Sequence, residues 1–356
     1  MTRIDRFVLM RVGTRILGTV FVLFGLITLA ESLDTWRFRT ISESMGLGWA
    51  LVMVLASGAR WTIKTLPISV LLGAIIGFFD LKVRHELTVI QSTGLSFWRI
   101  IRAPVAAVFV AALFVSLQLE TVTTSLVRDL APMAPGEAVL LTPPGEIWLE
   151  QRASSDEQYV LMARGVRDGG ARLVEVTLFR LDGLSERIEA REAELRGGRW
   201  VLSQALLRTP DNPPRLIDEY SVRTTSTASE VRLKLTSIED VTFFELFTLI
   251  SGGISDPLVR AAALTRFAKL LSLPLTLVGS LLIAFAFTAG YRRHNNYGAA
   301  ILYGMVLGFV VFVITEMSER AGAGGVIHPA LAALGPAFVA AVIGVTVLLY
   351  KEDGRV

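Results

Sequence analysis

The chain has 356 residues, of which 52% are hydrophobic and 19% charged, with a mean hydropathy of +0.55; this is more apolar than an ordinary soluble chain and makes a membrane protein the expected class. It contains no cysteine, which excludes a disulfide framework and any Cys-based metal or redox site. The formal net charge is only +3 and the basic residues are scattered among apolar stretches, so nucleic-acid binding has little support and the membrane is the expected electrostatic partner.

A spanning helix needs about 20 mostly apolar residues. In chain order such stretches run from Arg15 to Leu33, Thr62 to Phe79, Ala103 to Leu119, Leu270 to Gly290, Gly298 to Met317 and Pro329 to Tyr350, predicting six spans. The run Leu47 to Ser57 is apolar but short, and Arg60 and Lys64 part it from the next run. It reads as an upper, tilted or interfacial part of the second helix. The first span lacks a small-residue cleavage site behind a short apolar core and is expected to be a permanent anchor.

Between the second and third spans lies a stretch that is neither a Gly/Pro loop nor an apolar run, Lys82 to Arg99 (KVRHELTVIQSTGLSFWR). Leu87, Ile90, Leu95 and Trp98 recur on one helical face, Arg84, Glu86, Thr88 and Gln91 are polar, and Gly94 invites a break before the next span. The pattern predicts a short amphipathic helix. Two readings share it: a helix lying on lipid, or a helix seated in a groove of a cytosolic protein. Glu86 among bases suits an Arg on a partner better than it suits anionic lipid.

From about Ala131 to Glu239 the texture changes to short alternating runs. The segments YVLMARGV, RLVEVTLFRL, ELRGGRWVLS and EVRLKLTS read as strands, Gly197 and Gly198 as a two-residue hairpin turn, and Pro143, Pro144, Pro213 and Pro214 as loop markers. The expected fold class is therefore six transmembrane helices plus an all-β domain, an antiparallel sandwich, jelly roll or barrel, with helices 1–3 in residues 1–130, the β-domain in 131–245 and helices 4–6 in 246–356.

Basic residues set the orientation. Arg3, Arg6, Arg11 and Arg15 precede the first span, Lys82, Arg84, Arg99 and Arg102 lie between the second and third, Arg292 and Arg293 between the fourth and fifth, and Lys351 and Arg355 after the sixth. This side is read as cytoplasmic, which places the β-domain outside the inner face, in the periplasm if the cell is Gram-negative. The opposite side nevertheless carries Arg37, Arg39, Arg60, Lys64, Arg128, Arg260, Arg266 and Lys269 at four helix ends. Either each snorkels to headgroups, or together they meet a shared anion such as a phosphorylated lipid. Glu31, Asp34 and Glu316 lie inside or at the edge of spans, where an acid faces a cavity or a partner. Glu31 and Asp34 are one helical turn apart; they are either a structural pair with a cation such as Arg37 or part of a substrate path.

Chemistry motifs are mostly missing. There is no Gly-x-x-x-x-Gly-Lys-Ser/Thr and no Gly-x-Ser-x-Gly, and His85, His294 and His328 are too dispersed for a shared metal site. No catalytic residue, metal or cofactor is expected in this chain. Work against a gradient would need an outside motor.

The stretch HELTVIQSTGLSFWRI resembles the coupling segment of the LptF/LptG (YjgP/YjgQ) lipopolysaccharide-export permeases, roughly S-E-L-x-V-M-x-A-x-G-x-S-x-x-R-I. Glu86, Leu87, Val89, Gly94, Ser96, Arg99 and Ile100 match, while His85 stands where Ser is common and Ile90 where Met is common. IDRFVLMRV, LPISVLLGAIIG and GVIHPALAALGPAF resemble the family's opening, second span and start of the last span. Asp5-Arg6, Leu33-Asp34 and the SGGISD region lean towards the G-type subunit.

The resemblance implies a non-catalytic permease subunit. It would pair with an F-type permease, two copies of an LptB-type ATPase that carries ATP and Mg, an LptC-type protein and a periplasmic bridge of jelly-roll domains. It implies that Glu86, Leu87, Ile90, Gly94, Leu95 and Arg99 meet the ATPase. Arg37, Arg60 and Arg128, with Lys64, Arg266 and Lys269, would meet lipid phosphates, and Glu31, Asp34 and Glu316 are cavity candidates. Familiar G-type members carry a basic residue in the first span where this chain has Glu31. The alternatives are an F-type subunit or an exporter of another lipid and, from a different class, a receptor with a periplasmic β-sensor domain, which would leave the connector unexplained.

Overall fold

The computed structural model describes residues 3–33, 38–39, 41–43, 46–130, 147–152, 158–167, 171–180, 186–209, 212–224, 238–252, 254, 257–288 and 297–353. Asp34, Arg37, Pro143, Pro144, the EVRLKLTS segment and the Arg292 to His294 stretch lie outside these.

Among the described residues, helix α1 spans Arg3–Ser32, α2 Leu47–Val83, α3 Glu86–Ser92 and α4 Phe97–Phe114, which runs through a π-turn at Val115–Leu119 into α5, Glu120–Leu130. Strands follow at Ile147–Arg152 (β1), Gln158–Arg167 (β2), Arg172–Arg180 (β3), Arg187–Arg196 (β4), Arg199–Thr209 (β5) and Asn212–Arg223 (β6). Helices α6 (Phe243–Gly252), α7 (Pro257–Thr288), α8 (Tyr297–Ala323) and α9 (Pro329–Asp353) complete the chain. Among the described residues six helices are long and apolar enough to cross a membrane: α1, α2, α4 with α5, α7, α8 and α9. The chain divides into two compact units, one of Met1–Val127, Thr242–Ser251 and Ala261–Val356, the other of Arg128–Val241 and Gly252–Arg260.

In the helical unit, Leu47 to Ser57 is the opening of one continuous 37-residue α2. At 1.5 Å per residue it is about 55 Å long, well beyond a hydrocarbon core of about 30 Å. Arg60 and Lys64 interrupt the apolar run but not the helix, and Lys64 Nζ lies 4.5 Å from the centre of the Trp61 ring. Helix α1 packs on α2 through the small-xxx-small pair Gly73 and Gly77, where an added Cβ would fall 2.5 Å from the Ile16 Cα and 3.0 Å from the Val12 Cα. Only glycine allows this approach of two backbones. Phe78 of α2, Phe285 of α7 and Phe97 of α4 meet at centroid distances of 4.7 and 5.7 Å. This aromatic junction sits inside a core that also takes in Leu87 and Ile90 of α3.

The β unit is one antiparallel sheet with its six described strands in chain order. Gly197 and Gly198, with φ of 56° and 73°, make the tight hairpin that pairs Arg196 with Arg199. Pro213 and Pro214, read from the sequence as loop markers, instead open β6, an edge strand among the described residues whose pairing with β5 is irregular near Thr209. Proline is tolerated at that place because it withholds no ladder bond from a second neighbour. Pairing is interrupted at Arg164, Glu175, Arg191, Gln204 and Asp218 on successive strands, and Glu175 and Gln204 have φ of 50° and 52°. This crease lets the buried positions step by three, as from Leu173 to Val176 and from Leu202 to Ala205, and keeps them in one core around the fully buried Trp200.

Candidate functional site

The connector is shaped by two left-handed corners. His85, at φ 58°, reverses the chain at the end of α2 and starts α3, and Gly94, at φ 81°, ends it. For a histidine this conformation costs about 1–2 kcal/mol, which tertiary contacts must offset. Lys82 Nζ donates to the Thr288 carbonyl at 2.9 Å, tying the end of α2 to the last residue of α7. Ser96 then caps α4 by accepting from the Arg99 backbone N–H at 3.4 Å.

The amphipathic helix is present, and its apolar face turns inward. Leu87 and Ile90 are buried in the core of the helical unit, and Leu95 and Trp98 pack against that core. The surface left to a neighbour includes Arg84, His85, Thr88, Val89, Ser92, Gly94 and Arg99, with Val89 63% and Val83 58% exposed as its apolar part. Glu86 stands between the two sides. Its Oε1 accepts from Arg11 Nη2 of α1 at 3.5 Å, while its Oε2 is buried and has no hydrogen-bond donor among the described residues.

Further carboxylates knit this end together. Asp5, buried at the start of α1, accepts a two-pronged contact from Arg102 of α4 at 3.1 and 2.7 Å. Asp80 of α2 takes Arg15 at 3.1 Å and Arg84 at 3.0 Å. Of these contacts Glu86–Arg11 ties α3 to α1, while Asp5–Arg102, Arg15–Asp80 and Lys82–Thr288 tie α1 to α4, α1 to α2 and α2 to α7, and the apolar face of α3 lies in the core these helices share.

At the other end of the helices the expected cations are placed as follows. Arg39 pairs with Glu43 at 2.8 Å on the surface. Arg60 lies close enough to Glu120 to act on its charge, and Lys64 sits over Trp61. Arg128 donates to the Asp240 carbonyl at 3.5 Å, and Arg260 is exposed. Arg266 is ion-paired with Glu120, both side chains deeply buried. Lys269 reaches Glu319 at 2.5 Å and Glu316 at 3.8 Å. Glu316 also meets Arg320 at 3.4 Å. Glu31 lines a shallow pocket with Phe38, Ile41, Ala50, Met53, Val54 and Ser57.

Glu120 and Glu319 are absent from the sequence expectations. Glu120 was open to the same argument as Glu31, since an acid within an apolar helix wants a partner, but nothing local names Arg266, which is 146 residues away. No cluster of three or more metal-binding side chains occurs among the described residues.

The connector, the six apolar helices and the inserted sheet form one pattern that comparison with known proteins can test. Residues 6–350 match the family described as lipopolysaccharide export system permease LptF/LptG. The chain is also similar to the lipopolysaccharide export system permease protein LptG of Haemophilus influenzae, 23% identical over 333 residues that cover 88% of this chain and 89% of the relative. A match over nearly the whole length takes in both the helices and the β unit, and the chain belongs to the LptF/LptG permease family.

Proposed function

We propose that this chain is a G-type permease subunit that withdraws lipopolysaccharide from the outer leaflet of the inner membrane and passes it to a periplasmic bridge, driven by ATP hydrolysed on a partner. The family match over residues 6–350 carries the reading, and the sequence contains no phosphate loop of its own. On this reading the termini and α3 are cytoplasmic and the β unit is periplasmic. The partners are an F-type permease, two LptB-type ATPases binding ATP and Mg, an LptC-type protein and bridge proteins of jelly-roll fold.

In this role α3 receives the ATPase on its outward surface around Val89, and Glu86, whose side chain is 26% exposed, offers its carboxylate to a cation of the partner in competition with Arg11. Leu87, Ile90 and Leu95 act from beneath by holding the helix in place. Arg37, Arg60, Lys64, Arg128, Arg266 and Lys269 are the candidate contacts for lipid phosphates; Arg266 and Lys269 would have to leave carboxylates of neighbouring helices to serve. Depletion of the protein is expected to make lipopolysaccharide accumulate in the inner membrane, measured by membrane fractionation. Unchanged delivery to the outer membrane would sink the reading.

A further inference from the structure

Two polar links join the third and fourth spans, and they differ in kind. Pro274 lies inside α7 and has no N–H, so the carbonyl of Leu270, four residues before it, loses its usual helical donor. Ser116 of the π-turn, 2% exposed, donates to that carbonyl at 2.5 Å. One turn further along the same seam, Glu120 of α5 is ion-paired with Arg266 of α7, with side-chain exposures of 6% and 12%. Ser116 and Glu120 are four residues apart, as are Leu270 and Arg266, so both links fall on one antiparallel face of each helix. A π-turn inserts one residue and shifts the helical phase, and π-turns concentrate at working sites.

The links have different alternatives. If Ser116 withdraws, the Leu270 carbonyl is left buried beside a proline that cannot serve it, so this bond stays closed. The ionic link has other polar groups around it. Arg60 and the Phe243 backbone N–H act on the Glu120 charge, Thr124 Oγ1 donates to Glu120 Oε1 at 3.1 Å, and the second carboxylate oxygen, Oε2, is buried with no donor at bonding geometry among the described residues. A buried ion pair has a small net stability and responds strongly to any change in its surroundings. Both helices also lie where the chain passes between the two units: α5 carries it out after Val127, and α7, after the earlier return through Thr242–Ser251, brings it back at Ala261.

We propose that Ser116 and Leu270 form a pivot between the third and fourth spans, and that Glu120 and Arg266 form a latch whose release lets α5 and α7 part about that pivot. This inference concerns the helices themselves and stands whatever the cargo. Because the chain has no native cysteine, spin labels report on it directly in the full-length protein. One pair, Val122→Cys with Ala262→Cys, lies on the latch side. Another, Phe109→Cys with Leu271→Cys, lies near the pivot and towards the connector. Glu120→Gln and Arg266→Gln should each shift the first distance to longer values and leave the second in place, and Glu120→Arg combined with Arg266→Glu should bring the first distance back. If Glu120→Gln, which keeps side-chain size, and Arg266→Gln both leave the first distance as it was, the seam is held by apolar packing and the latch is wrong. If both distances lengthen together, there is no pivot.

Discussion

The two ends of the helical unit use the same side chains in different surroundings. At the connector end the arginines are half in solvent, with side-chain exposures of 40% for Arg11, 48% for Arg15 and 52% for Arg102, and they reach carboxylates at helix ends. At the far end Arg266 and Glu120 are enclosed, at 12% and 6%. Exposed pairs contribute about 0–1 kcal/mol because water screens them and long side chains lose entropy. Breaking a buried pair costs about 3–5 kcal/mol, since one charge is left without a partner. The connector end is thus held by ties that water can replace, whereas Glu120 and Arg266 are costly to separate because either charge would be left buried alone.

The sharpest way to break this contrast is Glu120→Ala. It strands Arg266 among α5 and α7 and should lower stability in detergent by about 3–5 kcal/mol, measured by denaturant unfolding. A loss below about 1 kcal/mol would mean that water reaches the pair and that the ends do not differ. The β unit supplies a reference in which the buried polar group is neutral. Tyr159, 2% exposed, donates to the Arg223 carbonyl at 2.9 Å, and burial pushes its phenol up to about 12 from an ordinary 10.0. The folded unit therefore holds this proton more tightly than the unfolded chain does. The stability involved is complete below pH 10 and is lost as pH rises towards 12, on the order of 2–3 kcal/mol. Tyr159→Phe should flatten the fall between pH 10 and 12; an unchanged profile would assign the fall to other groups.

What the sequence disclosed follows from where the information lies. Six apolar runs, a hairpin at Gly197 and Gly198 and an amphipathic connector are local patterns, and all are present. That Leu47 to Ser57 belongs to the second helix was legible too, because Arg60 and Lys64 end an apolar window without ending a helix. The direction in which α3 faces was hidden: the spacing of Leu87, Ile90, Leu95 and Trp98 shows that a face exists, not whether the chain's own core or a partner covers it. Glu120 and Arg266, or Ser116 and Pro274, are joined only by the packing of distant helices. A lone serine in a span carries no sign of the carbonyl that a remote proline has freed.

Asp5 tests a middle case, a buried acid with an exposed cation. Asp5→Asn keeps the size and some of the hydrogen bonding to Arg102 but removes the charge, and Arg102, 52% exposed, can turn to water. The expected loss is about 1–2 kcal/mol, between the two extremes. Thermal unfolding beside Glu120→Ala would rank them, and a loss equal to that of Glu120→Ala would move Asp5 into the strongly held class.

The smallest effect should come from Arg11, and it separates stability from function. Its contact with Glu86 is long, at 3.5 Å, and 40% of the Arg11 side chain is exposed, so Arg11→Ala should change stability by no more than about 1 kcal/mol. Leu87 and Ile90 keep α3 in place without it. Yet Arg11 is the cation that Glu86 uses within the chain, and a docking partner that offers its own cation has to compete with it. Arg11→Ala is therefore expected to strengthen recovery of the ATPase with the purified permease, whereas Glu86→Ala should weaken it. If both variants weaken recovery alike, Arg11 orients Glu86 for the partner instead of competing for it. If neither changes it, the outward surface around Val89 carries the contact and the Glu86 carboxylate only ties α3 to α1.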